Sequence, residues 1–112
     1  MSESILKSVK IGLGIIDDDY EDFDPSLITH INSVFYILHQ MGIGSSDPFE
    51  IKDSDETWED FYSDISKINA VKQYMIQKVR LLFDPPLSGS AMDALKSSIE
   101  ELETRLYWTF NY

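Results

Sequence analysis

The sequence lacks cysteine altogether, which excludes a disulfide framework and a thiolate metal site. It also lacks a long hydrophobic run. The apolar stretch near the N-terminus is interrupted by Lys7 and Lys10 and ends by Ile16, so it is too short to span a bilayer. The same stretch does not follow the order of a secretory signal, in which a basic region precedes an unbroken apolar one. These absences predict a cytoplasmic chain with no membrane partner.

Basic residues are scarce, since 9 Lys and Arg stand against 20 Asp and Glu and give a net charge of −11. This balance argues against broad nucleic-acid binding, because affinity for phosphate comes from clustered bases. The charges are also unevenly placed. Six acids lie within residues 17–24 and seven within 47–60, whereas residues 65–83 carry four bases and no acid. Two interpretations remain open: solvated loops beside a helix with basic edges, or complementary patches for self-association.

Motifs for catalysis or metal binding are missing as well. Neither acidic loop has the spacing of an EF-hand, whether counted from Asp17 or from Asp53. His30 and His39 are too far apart along a helix to share a face closely, as a metal-binding pair would. The sequence contains no G-x-S-x-G turn and no glycine-rich phosphate loop. We therefore expect no enzyme activity, no metal and no cofactor.

The organising element of the predicted fold is the segment 69–86, which is apolar on more than one side. Such a helix packs against several neighbours. It should end near Phe83, because Pro85 disfavours helical geometry at Asp84 and Pro86 restricts Pro85 in turn. At 112 residues with 43% apolar content, we expect one domain, residues 1–112, with a core of its own.

Four further segments have helical patterns. We predict a first helix over 2–13, capped by a serine and ended by Gly12 and Gly14, and a second over 24–41. Asp24 is the expected N-cap of the second helix, with proline following at its first position. A short helix begins within 54–60 through a capping box, and a last helix runs from Ser88 or Ser90 to about Trp108. The predicted fold is all-α: a small bundle of four to five helices, with an acidic loop after helix 1 and a longer loop after helix 2.

The tail, residues 107–112, holds four aromatic residues in six positions. Leaving these side chains in water is costly, at about 25 cal/mol per Å² of apolar area. Either they fold back onto the core of their own chain, or they dock into a neighbouring subunit or partner, where Trp and Tyr often act as anchors. The sequence does not favour one over the other.

Several motifs, taken in order, resemble one family. They are ILKSVKIGLGI near the start, Tyr20 with Phe23-Asp24, ITHINSVFYILHQMGIG, Thr57 to Phe61 (TWEDF), VKQYMIQKVRLLFDPP and Glu101 to Leu106 (ELETRL). In this order and spacing they resemble the head–tail connector (adaptor, head completion) proteins of tailed bacteriophages and prophages. The resemblance covers roughly residues 4–106 and leaves the aromatic tail outside.

The resemblance implies a structural protein that forms a ring below the portal after DNA packaging and joins the DNA-filled head to the tail or stopper. Its expected partners are copies of itself (a dodecamer in the virion), the portal protein and a stopper or tail-completion protein. DNA only passes through the channel. We expect the chain in the virion, and in the host cytoplasm during assembly. Connectors of this kind provide no catalytic residues to transfer to this sequence.

A ring needs two different patches that meet head to tail, and an acidic channel wall would let DNA slide past. We therefore expect acids of 17–24 or 47–60 to face the channel or the next subunit. The predicted interaction residues are Asp17, Asp18, Asp19, Glu21, Asp22, Lys72, Lys78, Arg80, Trp108, Phe110 and Tyr112. The alternatives are an acidic DNA-mimic regulator, supported by charge alone, and a generic helical protein-interaction module.

Overall fold

Five helices account for the regular structure of residues 3–15, 21–44 and 47–111, the part of the chain that the computed structural model describes, and this part forms no strand. The helices are α1 (Ile5–Gly12), α2 (Asp24–Gln40), α3 (Trp58–Phe61), α4 (Ile65–Phe83) and α5 (Gly89–Asn111). This confirms the predicted all-α bundle of four to five helices.

The helix α4 occupies the centre of the bundle and packs against α1, α2 and α5. Its buried side chains lie on several sides, which is why it needs three neighbours; they are Ile68, Val71, Tyr74, Met75 and Val79. The helix ends at Phe83, directly before Asp84 and the two prolines, as the sequence predicts. Near this end of the helix Leu82 is not part of the core, since 45% of it is exposed.

The helix α1 ends in a Schellman motif. Gly14 N–H donates to the Ile11 carbonyl and Ile15 N–H donates to the Lys10 carbonyl, each at 3.0 Å. Gly14 has a φ of +82°, a conformation that glycine adopts without strain. Gly12 is the last residue of the helix and serves close packing. A Cβ at this position would lie 2.6 Å from a side-chain carbon of Ile76, so α1 and α4 approach closely here.

The N-terminus of α2 corrects one prediction. Asp24 is the first helical residue and Phe23 is the N-cap, which makes no side-chain capping hydrogen bond. The carboxylate of Asp24 instead faces the ammonium of Lys10 on α1, with 3.0 Å between Nζ and Oδ1. The Lys10 side chain is only 2% exposed, so a buried charge has drawn Asp24 away from the local capping role.

The long loop after α2 is held against the bundle by Asn32. Its amide accepts from Ile51 N–H at 2.8 Å and donates to the Ile51 carbonyl at 3.0 Å, as a neighbouring strand would. The ring of Phe49 packs on Phe35 and Phe61, with centroids 5.0 and 5.5 Å apart. The predicted capping box that starts α3 is confirmed, with Thr57 as the N-cap.

The helix α5 is longer than predicted, because it continues past Trp108 to Asn111 and takes most of the aromatic tail with it. Ser88 Oγ accepts from Ala91 N–H at 3.1 Å, in agreement with one of the two predicted caps. Its buried side chains begin near the middle of the helix and pack mainly on α4; they are Ile99, Leu102 and Leu106.

Candidate interaction surfaces

A groove of about 480 Å³ runs between α1 and α4. We refer to it as the α1–α4 groove, and its lining includes Glu3, Lys7, Ser8, Ile11, Lys72 and Ile76. The two helices run in the same direction along it. Residue 3, just before α1, contacts Lys72, and Gly12, at the end of α1, contacts Ile76. The groove therefore has one end near the start of α1 and another near its C-terminus.

The first end of the α1–α4 groove is polar and internally ordered. The Glu3 carboxylate is 2.7 Å from the Lys72 ammonium and accepts a hydrogen bond from the Ser8 hydroxyl at 2.5 Å. These two contacts, Lys72 first, hold the pKa of the Glu3 carboxyl below its usual range. The indole N–H of Trp58 donates to the Ser8 oxygen at 3.1 Å, which links this end to α3. Lys7 is exposed here and makes no ion pair with a residue that the structure describes.

The other end of the α1–α4 groove is apolar. Ile11 is 67% exposed and Ile76 is half-buried against Gly12. A large aliphatic side chain so exposed on the short helix α1 contributes little to the core. Its position beside a second isoleucine makes a surface suited to contact with another apolar group.

A second groove, of about 560 Å³, lies between α2 and the loop that follows it. Its lining includes Thr29, Ser33, Tyr36, Ile37, Phe49 and Glu50. Tyr36 is 53% exposed. This groove carries an acid and no base, so it is poorly suited to an acidic partner, whereas the α1–α4 groove carries two lysines.

The first acidic loop is only partly within the described residues. Glu21 and Asp22 are exposed, and Phe23 beside them is 42% exposed. Asp17, Asp18 and Asp19 lie outside the described residues.

Several acids of the second acidic loop accept hydrogen bonds from backbone N–H groups of the same loop. Glu56 accepts hydrogen bonds from the backbone N–H groups of Lys52 and Asp53, at 2.8 and 3.3 Å. Asp53 in turn accepts from the N–H of Asp55 at 2.7 Å, and Asp60 closes the capping box. These acids stabilise the loop, so fewer of them face a partner than their number indicates.

The bases of α4 do not form one patch. Lys72 pairs with Glu3, and Lys78 lies 4.0 Å from a Glu103 oxygen on α5. Lys67 lies 5.5 Å from the centre of the Phe110 ring. Lys72 and Lys78 therefore lie on opposite edges of the helix, one toward α1 and one toward α5.

Two further polar side chains of α4 are at least partly buried. Arg80 is half-buried near the C-terminus of α4. Tyr74 is buried and donates a hydrogen bond from its hydroxyl to Glu103 at 2.8 Å. Burial, and then this hydrogen bond to a carboxylate, raise the pKa of Tyr74 above its ordinary value.

The aromatic tail is divided between a packed and an exposed part. Phe110 folds back and packs edge-on against Tyr62, with centroids 5.1 Å apart. Tyr107 and Trp108 remain 49% and 53% exposed on α5. Tyr112 lies outside the described residues.

No group of His, Asp and Glu side chains within 3–15, 21–44 and 47–111 is arranged to hold a metal ion. His30 lies beside Phe83 and His39 beside Tyr36, so the two histidines have different surroundings. None of the helices described is long and apolar enough to cross a membrane.

Sequence reasoning did not single out Lys7 and Ile11, which the structure places exposed in the α1–α4 groove. One signal was present: the two residues are four apart on α1, so they share a face, and Ile11 lies outside the buried stripe of that helix. What the sequence does not show is that α4 brings a matching pair, Lys72 and Ile76, alongside them.

The comparisons with known proteins give one finding. A family model described as "phage connector protein" matches residues 5–112. The match extends through the aromatic tail, which the sequence motifs had left outside the resemblance. No curated protein and no solved structure matches the chain.

Proposed function

This chain belongs to the phage connector protein family, and we propose that it forms a ring below the portal and joins the DNA-filled head to the tail or stopper. The observation that carries the proposal is the family match over residues 5–112. The family supports a structural, connector-type role in a virion. Our proposal adds two points to this role: that the chain forms a ring, and that the ring joins the head to the tail or stopper.

The ring proposal draws support from the surfaces. A ring is built from two different patches, each meeting the other on the next subunit. The chain has a basic-and-apolar groove between α1 and α4 and, elsewhere, an exposed acidic turn at residues 21–23. We propose twelve copies in the virion, in contact with the portal on one side and with a stopper or tail-completion protein on the other. Assembly would take place in the host cytoplasm.

The net charge of −11 fits a channel through which DNA passes without being held. Acids repel phosphate, whereas a wall of Lys and Arg would bind it. In this role the protein needs no catalytic site and no cofactor. We propose that the exposed acids of the loops, Glu21, Asp22, Asp47 and Glu50 among them, face either the lumen or the next subunit.

The alternative of an acidic DNA mimic finds no support in the geometry. A mimic needs a long, evenly spaced stripe of free carboxylates. Here Asp24 is paired with Lys10, and Glu56 and Asp60 bind backbone N–H groups. Most of the remaining acids lie in two separate loops and on α5 rather than in one stripe.

Deletion of the gene in the phage or prophage tests the junction role directly. The expected result is heads that fill with DNA but carry no tail, seen by electron microscopy, with tailed infectious particles restored by the wild-type gene. Electron microscopy of the purified protein with the cognate portal should show added density in a ring below the portal. Normal tailed particles from the deletion strain would refute the proposal.

A further inference from the structure

The charge of the chain limits where two copies can meet. With 20 acids against 9 bases, most pairs of surfaces on two copies repel each other. A contact between copies must therefore collect the few exposed bases. Lys10 is buried against Asp24, and Lys78 and Arg105 face glutamates of their own chain. In the α1–α4 groove two bases, Lys7 and Lys72, line the same depression. Lys72 pairs with Glu3 there, whereas Lys7 is exposed and makes no ion pair with a residue that the structure describes.

The α1–α4 groove is built from two matching pairs. Lys7 and Ile11 are four residues apart on α1, and Lys72 and Ile76 are four residues apart on α4, so each pair shares a helical face. Because the helices run in the same direction, the lysines lie at one end and the isoleucines at the other. Such a groove fits a segment that carries acids next to an exposed apolar side chain.

We propose that the α1–α4 groove receives the turn at residues 21–23 of a second copy, with the acids toward Lys7 and Lys72 and the aromatic ring toward Ile11 and Ile76. The inference rests on the proposed function, because the second copy is the adjacent subunit of the proposed ring. In that turn Glu21 and Asp22 are exposed and Phe23 is 42% exposed.

The second acidic loop is the weaker candidate for the occupant. Its acids Asp53 and Glu56 already bind backbone N–H groups, and its aromatic residue Phe49 is packed against Phe35 and Phe61. Docking this loop would require Phe49 to leave the core. Phe23 also packs edge-on against a ring of its own chain, Phe83, with centroids 5.4 Å apart, but 42% of it remains exposed. Its exposed side can therefore meet a neighbouring copy while the contact with Phe83 is kept.

Because groove and turn are different surfaces, the contact is heterologous: each subunit offers its groove to one neighbour and its turn to the other. Such contacts close into rings or continue into filaments, whereas two identical patches would give a closed dimer. The apolar half provides attraction that persists in salt, and the lysine half fixes the orientation.

Charge reversal tests the contact by sedimentation velocity of the purified chain at low salt, up to about 1 mM, where even millimolar association is detected. Lys7→Glu should weaken self-association about tenfold, because an attraction becomes a repulsion. Lys96→Glu is the matched control: it makes the same charge change at an exposed base outside the groove and should have a much smaller effect. Ile11→Gln should also weaken association, and urea unfolding checks that each variant is folded.

A charge exchange makes the test specific. A Glu21→Lys, Asp22→Lys variant should associate with itself more weakly than the wild-type chain, as should Lys7→Glu. An equimolar mixture of the two variants should regain association, because each basic turn meets an acidic groove and each acidic turn meets a basic groove. A mixture that stays dissociated, equal effects of Lys7→Glu and Lys96→Glu, or a wild-type chain that remains monomeric would each overturn the inference.

The inference and the proposed function can fail separately. Tailless heads in the deletion strain together with an inert charge exchange would support the connector role and remove this contact. Restored association by the exchanged pair, in a phage that assembles tails without the gene, would support the contact and remove the connector role.

Discussion

The buried ion pair between α1 and α2 leads to an asymmetric prediction. The Lys10 side chain is 2% exposed and that of Asp24 is 20% exposed, with 3.0 Å between Nζ and Oδ1. Asp24 Oδ1 makes no hydrogen bond of regular geometry, so the contact is chiefly electrostatic. Removing either partner takes this contact from the other charge, and the two charges differ in their access to water.

Asp24→Asn should be the costlier change. It leaves the Lys10 ammonium buried without its carboxylate, and breaking a buried pair in this way costs about 3 kcal/mol. Lys10→Met keeps the apolar stem in place and leaves Asp24 partly solvated at the N-terminus of α2, where the helix dipole favours a negative charge. We expect about 1 kcal/mol for that change. The double variant should cost about the same as Lys10→Met alone, because no buried ammonium remains.

Urea unfolding followed by far-UV circular dichroism measures these differences. With a slope of about 1.5 kcal/mol per molar urea, Asp24→Asn should lower the midpoint by about 2 M. Glu21→Gln, an exposed acid close by, is the control and should change stability by less than about 0.5 kcal/mol. Equal costs for the two single variants, or additive costs in the double variant, would refute the reasoning.

Three other predictions concern stability. The raised pKa of Tyr74 means that the folded state holds the phenol proton more tightly than the unfolded state, so the stability that it contributes is complete below about pH 10 and is lost as pH rises further. The urea midpoint of Tyr74→Phe should therefore change less with pH than that of the wild type between about pH 9 and 11. A variant with the same pH dependence as the wild type would contradict this. Thr57→Ala removes the capping box of α3 and should cost about 1 kcal/mol in thermal unfolding, with Thr57→Ser close to wild type. Asn32→Ala leaves both backbone groups of Ile51 without their partner and should lower the free energy of unfolding by about 2 kcal/mol. Asn32→Asp keeps only the acceptor, so its stability should lie between those of Asn32→Ala and the wild type. Equal stability of Asn32→Ala and the wild type would exclude the role given to this amide.

The sequence predicts well where local signals and packing agree. The two prolines after Asp84 end α4 at Phe83, and the pattern around Thr57 starts α3. It fails at Asp24, where Asp followed by proline is a strong local capping signal. A buried lysine fourteen residues earlier claims that carboxylate, and no local pattern reveals it.

The candidate site was less predictable than the fold. The sequence singled out Lys72 on α4 but gave it no partner surface. The α1–α4 groove exists only because two short stripes, one with Lys7 and one with Lys72, come side by side in parallel. That juxtaposition depends on how α1 docks, which is a tertiary property. Of the predicted interaction residues in the tail, Trp108 is exposed on α5, whereas Phe110 packs against Tyr62 on the core side of that helix.

The absence of a side chain at Gly12 affects the width of the α1–α4 groove, although Gly12 is not one of its lining residues. Since a methyl group there would collide with Ile76, the walls of the groove stand as close as two backbones and one isoleucine allow. With any larger residue at this position, either the Ile76 side chain or α1 itself would have to move. The missing side chain at Gly12 thus helps to fix the distance between Lys7 and Lys72, the two charges that a neighbouring subunit would contact.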